Sequence, residues 1–82
     1  MNTEDVLNSL KIIELSSSII NNDLESAISL VKELNQFPTS IYEYGFNFYD
    51  FFNCKNETLD YVFNNLTNYP NMEKISWDYS VG

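Results

Sequence analysis

The chain contains no histidine and no arginine, and its 82 residues include a single cysteine, two glycines and two prolines. Without histidine, general-base catalysis near neutral pH would fall to a carboxylate or a lysine with a strongly displaced pKa. Ser-His-Asp and Cys-His arrangements cannot be assembled within the chain. Zinc sites lose their usual nitrogen and sulfur ligands, and the acids show no calcium-loop spacing. Two glycines do not build a phosphate-cradling loop. Cys54 has no partner for an intrachain disulfide and reads as a small, half-buried hydrophobe near a helix end. No apolar run approaches the ~20 residues of a membrane helix. The stretch MNTEDVLNSLK is acidic and lacks the basic start and apolar middle of a secretory signal. These absences lead to the expectation of a cytoplasmic chain with no catalytic residue, cofactor, metal or membrane contact.

Basic charge is also scarce. Twelve carboxylates face four lysines, for a net charge of −8. Such a field repels nucleic acid and anionic lipid and attracts basic surfaces, so no direct nucleic-acid contact is expected. Two Asn-x-Thr sequons, Asn56-Glu57-Thr58 and Asn65-Leu66-Thr67, are what chance gives with twelve asparagines.

What the chain does have is a repeat of itself thirty-two residues on: LVKELNQFP (Leu30 to Pro38) returns as VFNNLTNYP (Val62 to Pro70). Ala27, Leu30, Val31, Leu34, Phe37 and Pro38 match Leu59, Val62, Phe63, Leu66, Tyr69 and Pro70. Periods of this size mark stacked supersecondary units that bury a face against their neighbours and present a surface to a partner.

Helical spacing organises both halves. Asp23 caps a helix through Asn35 whose Leu24, Ala27, Ile28, Val31 and Leu34 share one face. Before it, Thr3 is expected to cap a helix with Glu4 and Asp5 in its first turn, where the helix dipole favours acids. That helix carries two stripes, Val6/Leu10/Ile13 and Ile12/Leu15/Ile19, so it should be more than half wrapped by protein. Asn21-Asn22 is the turn between two antiparallel helices. In the second half Asn56 caps a helix with Leu59, Val62, Phe63 and Leu66 on its buried face. The stretch Ile41 to Phe52 is ambiguous. Tyr42, Tyr44, Phe46 and Phe48 alternate as in a strand, whereas Ile41, Tyr44, Phe48 and Phe51 suit a helix, with Ser40 and Glu43 as a capping box. The thirty-two-residue offset carries Ile19 and Ile20 onto Phe51 and Phe52, which favours a helix starting between Ser40 and Asn47 and running to Asn53. Ile75, Trp77, Tyr79 and Val81 alternate in an extended tail. The expected fold is mainly α: about four helices as two antiparallel hairpins (1–38 and 39–70) with the tail at 71–82. The competing α+β arrangement would pair 41–48 with 75–81.

The segment Tyr44 to Leu66 resembles an ankyrin repeat from its loop glycine, Gly45, through its second helix, and Asn21 to Leu34 resembles the end of a preceding unit. Asn47 stands where a threonine usually caps the first helix, and Asn47, Phe48, Tyr49 and Asp50 replace the family's Thr-Pro-Leu-His. The resemblance implies a protein-binding surface and carries no catalytic residue; a small four-helix bundle is the other reading.

All thirteen aromatics lie between Phe37 and Tyr79. Phe51, Phe52 and Phe63 are the first candidates for the core. Tyr42, Tyr44, Tyr49, Tyr61, Tyr69, Trp77 and Tyr79 exceed what a small domain needs to bury. Interface centres favour such rings. The carboxylates Glu43, Asp50, Glu57, Asp60, Glu73 and Asp78 are interleaved with them. Rings stack on guanidinium planes while acids pair with charge, so Tyr42, Glu43, Tyr44, Tyr49, Asp50, Glu57, Asp60, Tyr61, Glu73, Trp77, Asp78 and Tyr79 form the expected partner-binding set. The partner class this chemistry fits is a basic protein, foremost a nuclease toxin, which gives the chain the general character of an immunity protein or antitoxin. Two other readings stand beside it: a phage-encoded nucleic-acid mimic, and a structural module that self-associates. As a binder the chain would be a monomer or a weak homodimer.

Overall fold

The computed structural model describes residues 3–70. These residues are mainly helical, with no strand among them, and form three α-helices and two short 3-10 helices: α1 (Thr3–Ile20), α2 (Leu24–Leu34), 3-10 segments at Ile41–Tyr44 and Phe48–Cys54, and α3 (Glu57–Asn65). α2 lies between α1 and α3, and both 3-10 helices pack against α1. Thr3 is the first residue of α1 and not its cap.

Local chemistry sets the boundaries. At the end of α1, Asn22 takes the left-handed conformation (φ 54°). Its N–H donates to the Ile19 carbonyl, and the Asp23 N–H reaches the Ser18 carbonyl at 2.7 Å. This double closure satisfies carbonyls that the helix end would otherwise orphan. Asp23 at once begins α2, accepting from the Ser26 N–H and hydroxyl. In α3, Asn56 caps by accepting from the Leu59 N–H at 2.8 Å.

The stretch 41–54 is neither one α-helix nor a strand. Gly45, at φ 97°, ends the first 3-10 segment, and Asn47 starts the second by accepting from the Tyr49 N–H. A Cβ at Gly45 would meet nothing within 4 Å, so the demand there is for backbone conformation alone. In a 3-10 helix residues i and i+3 eclipse. Phe48 and Phe51 therefore share the buried line, while Tyr49 and Phe52 share the exposed one. Phe52 is thus not a core residue; its ring is 45% exposed, with Lys55 Nζ 5.1 Å from its centroid. Ile19 and Phe51 are buried, and their neighbours Ile20 and Phe52 are both exposed.

The core combines Ile12, Leu15 and Ile19 of α1 with Ala27, Leu30, Val31 and Leu34 of α2 and Leu59, Val62 and Leu66 of the second unit. Phe46 fills its centre against Phe48, Phe51 and Tyr69. Buried Ser18 is satisfied by the Leu15 carbonyl of its own helix. The other stripe of α1 is not wrapped: Val6, Leu10 and Ile13 are exposed.

Asparagine side chains join the two units at both ends of the stack. At one end, Asn56 Nδ2 donates to the Ile19 carbonyl (2.7 Å), while Asn22 Oδ1 accepts from the N–H and hydroxyl of Thr58. At the other, Asn35 accepts from the Thr67 N–H and donates to the Asn65 carbonyl. Asn68 Nδ2 reaches the carbonyls of Leu34, Phe37 and Thr39. The Asn56 amide and fully buried Thr58 are thereby engaged within the fold, which gives the first sequon a structural role. On the surface, Lys11 Nζ pairs with Glu33 at 2.8 Å across α1 and α2. This hydrogen bond, helped by the charges of Glu33 and Glu14, raises the Lys11 pKa above its ordinary 10.5. A raised lysine pKa adds stability that is fully present below the ordinary value and lost only as pH climbs beyond it.

Asn68→Ala should lower the unfolding free energy by about 0.5–1.5 kcal/mol through the lost amide hydrogen bonds. Asn68→Asp should cost more, since a carboxylate would face three carbonyl oxygens. Urea unfolding of both variants checks this; equal losses would show that the amide donor does not matter.

Candidate functional site

Of the expected binding residues, six lie in the 3-10 helices and the first turn of α3. Tyr42 and Glu43 lie in the first 3-10 helix, Tyr49 and Asp50 in the second, and Glu57 and Asp60 in α3. Tyr42 and Tyr49 are 45% and 40% exposed, and all four carboxylates are exposed. No salt bridge to a described residue engages Glu43, Asp50, Glu57 or Asp60. Phe52 joins this stretch, and beside it Lys55, Asn56, Glu57 and Asp60 line a shallow groove.

Tyr44 and Tyr61 are half-buried against the core, so each offers only part of its ring. Tyr44 meets Phe37 edge-on, with centroids 6.2 Å apart. Tyr69 is a correction: it is not surplus surface but core, 4% exposed. Its ring packs edge-on against Phe48 at 4.7 Å, and against Tyr42 at 5.7 Å. Its hydroxyl accepts from the Phe48 N–H and donates to Asn47 Oδ1. Those two bonds let a phenol sit inside, because a buried hydroxyl without partners would be costly. Tyr69 thereby fixes the start of the second 3-10 helix and, through the Tyr42 ring, braces the exposed stretch. Glu73, Trp77, Asp78 and Tyr79, and the segment 75–81, lie outside the described residues.

A second acidic feature escaped the sequence reading. An open groove of about 680 Å³ lies between the end of α1 and the start of α2, lined by Glu14, Asp23, Glu25, Leu30 and several serines. The only sequence signal for it was the spacing of Asp23 and Glu25 across the turn from Glu14, which local patterning does not single out. Among the described residues no three acidic, cysteine or histidine side chains stand close enough together to hold a metal ion. No helix of the described residues is long and apolar enough to cross a membrane. No family model, curated protein or solved structure matches the chain.

Tyr69→Phe should cost about 1–2 kcal/mol, the value of a buried hydroxyl's bonds. Glu43→Gln, at an exposed position, should change stability by less than about 0.5 kcal/mol, as substitutions away from the core do. Thermal unfolding of the two variants separates the structural hydroxyl from a surface carboxylate, and comparable losses would contradict the assignment.

Proposed function

We propose that this chain is an acidic, non-catalytic binding protein that neutralises a basic partner. A nuclease toxin is the partner class its chemistry fits best, which makes the chain an immunity protein or antitoxin acting in the cytoplasm. The observation that carries this reading is that Tyr42, Tyr49 and Phe52 are exposed in the same stretch of chain as the carboxylates of Glu43, Asp50, Glu57 and Asp60, none of which is salt-bridged to a described residue. The mechanism is electrostatic steering, followed by occlusion. A field of −8 raises the encounter rate with a cationic cleft. Rings then anchor by stacking on guanidinium planes, with carboxylates pairing around them. The ankyrin-like stacking of two units supplies a rigid platform for that stretch. A nucleic-acid mimic fits less well, since the described carboxylates are spread over α1, α2, the 3-10 segments and α3 instead of being ranked like phosphates.

Affinity capture from the source cells with the intact chain, run beside Tyr49→Ala and Asp50→Lys, tests the proposal. The expected result is a basic protein whose retention falls steeply with salt. Tyr49→Ala should cost roughly 2 kcal/mol of binding if it is an anchor. Asp50→Lys should chiefly slow association. Recovery of acidic or neutral partners only, or of a partner indifferent to both substitutions, would overturn it.

A further inference from the structure

The outer face of α1 is the largest apolar feature left uncovered among the described residues. Val6, Leu10, Ile13 and Ile20 are 43%, 49%, 62% and 62% exposed, with Leu7 beside them at 53%. With Thr3 and Ser17 they recur at steps of three and four along the whole helix: 3, 6, 10, 13, 17, 20. That 3.5-residue period is the seam of a helix pair, and it runs opposite the Ile12/Leu15/Ile19 line that faces the core. A repeat stack needs a polar outer surface on its terminal helix, and this one is apolar.

We infer that this seam is the interface of a homodimer, in which α1 packs antiparallel against α1 of a second copy. Three observations select a second copy, in this orientation. An antiparallel pairing about a point midway between Leu10 and Ile13 sets Thr3 against Ile20, Val6 against Ser17 and Leu10 against Ile13. All six seam positions are used, from the first residue of the helix to the last, and at each outer layer a small residue receives a larger one. Charge agrees. The only ionisable side chain bordering the seam is Glu14, and this register sets it beside Leu7 of the second copy instead of beside another Glu14. It also holds the acidic first turns, Glu4 and Asp5, at opposite ends, whereas a parallel pair would bring them together. Area sets the strength. The exposed patch is roughly 400–500 Å², near the top of what a monomer displays. Two copies would bury about 1,000 Å², the floor for a specific interface, so the dimer is weak and concentration-dependent. The inference does not depend on the proposed function.

Sedimentation equilibrium of the full chain between about 1 µM and 1 mM should show a monomer–dimer equilibrium. Ile13→Glu, at an exposed position, should keep the helical circular dichroism and raise the dissociation constant at least about tenfold. In a Cys54→Ser background, Leu10→Cys mixed with Ile13→Cys, and Val6→Cys mixed with Ser17→Cys, should oxidise to mixed disulfide dimers. A chain that stays monomeric throughout, or dimerisation that Ile13→Glu leaves unchanged, overturns the proposal. So does Val6→Cys cross-linking chiefly to itself, which would mean a parallel pair. A dimer that appears only after residues 71–82 are removed also overturns it, by making that segment the occupant of the seam.

Discussion

The stack depends on asparagine side chains that cross from one helical unit to complete the backbone hydrogen bonds of the other. Every helix end leaves groups without partners, and here the ends of α1, α2 and α3 meet at the junction between units. The Thr58 and Thr67 N–H groups each find an asparagine belonging to the opposite unit, and the Ile19 and Leu34 carbonyls accept from one in addition to a backbone N–H of their own unit. Asparagine suits this task because it both donates and accepts while neutral, so it can be half-buried without desolvating a charge. Apolar contact between α2 and α3 would tolerate a small slide. The asparagine bonds do not, since a displacement of one residue breaks several directional hydrogen bonds at about 0.5–1.5 kcal/mol each. The apolar interface between the two units is short, and directional bonds at both its ends add to it.

That junction explains how much could be read from the sequence. Caps and stripes are local, so Asp23 and Asn56 as caps, and Ala27, Val31, Leu34, Leu59, Val62 and Leu66 as core, follow from spacing alone, while Asn47 as a cap came with the ankyrin resemblance. The cross-unit roles of Asn22, Asn35 and Asn68 do not, because an asparagine that bonds thirty residues away looks like any turn residue. The ambiguity between Ile41 and Phe52 had a physical origin as well. Over a single turn the α and 3-10 periods differ by about half a residue. Only the left-handed Gly45 and the eclipsed Phe48/Phe51 and Tyr49/Phe52 pairs decide between them. Composition counts tyrosines but does not show that the Phe48 N–H and Asn47 Oδ1 meet the Tyr69 hydroxyl inside the fold.

The same division of labour shapes the surface. Polar satisfaction inside the fold falls to neutral amides and hydroxyls: Asn22, Asn35, Asn56, Asn68, Ser18, Thr58 and Tyr69. Among the described acids, Asp23 serves as a cap and Glu33 pairs with Lys11. Glu43, Asp50, Glu57 and Asp60 have no comparable task. Tyr42 and Tyr49 are exposed and Tyr44 and Tyr61 half-buried, a split that a count of tyrosines does not show. Phe52 belongs to the exposed stretch by virtue of the 3-10 geometry, which apolarity alone had assigned to the interior.

The apolar seam and the acidic stretch then stand in a definite relation. Both 3-10 helices pack against the inner side of α1, where Asn8 meets the Tyr44 hydroxyl and Ile12, Leu15 and Ile19 enter the core. The seam of Val6, Leu10, Ile13 and Ile20 lies on the opposite side of that helix. Two surfaces divided by the body of one helix do not compete for the same partner. A pair of chains joined through α1 would leave both acidic stretches open and turned away from the junction. Linked stretches bind a second basic site as an intramolecular event, at an effective concentration set by the rigid pair. A weak dimer could in that way strengthen attachment to a clustered or dimeric cationic target without one added contact at either stretch.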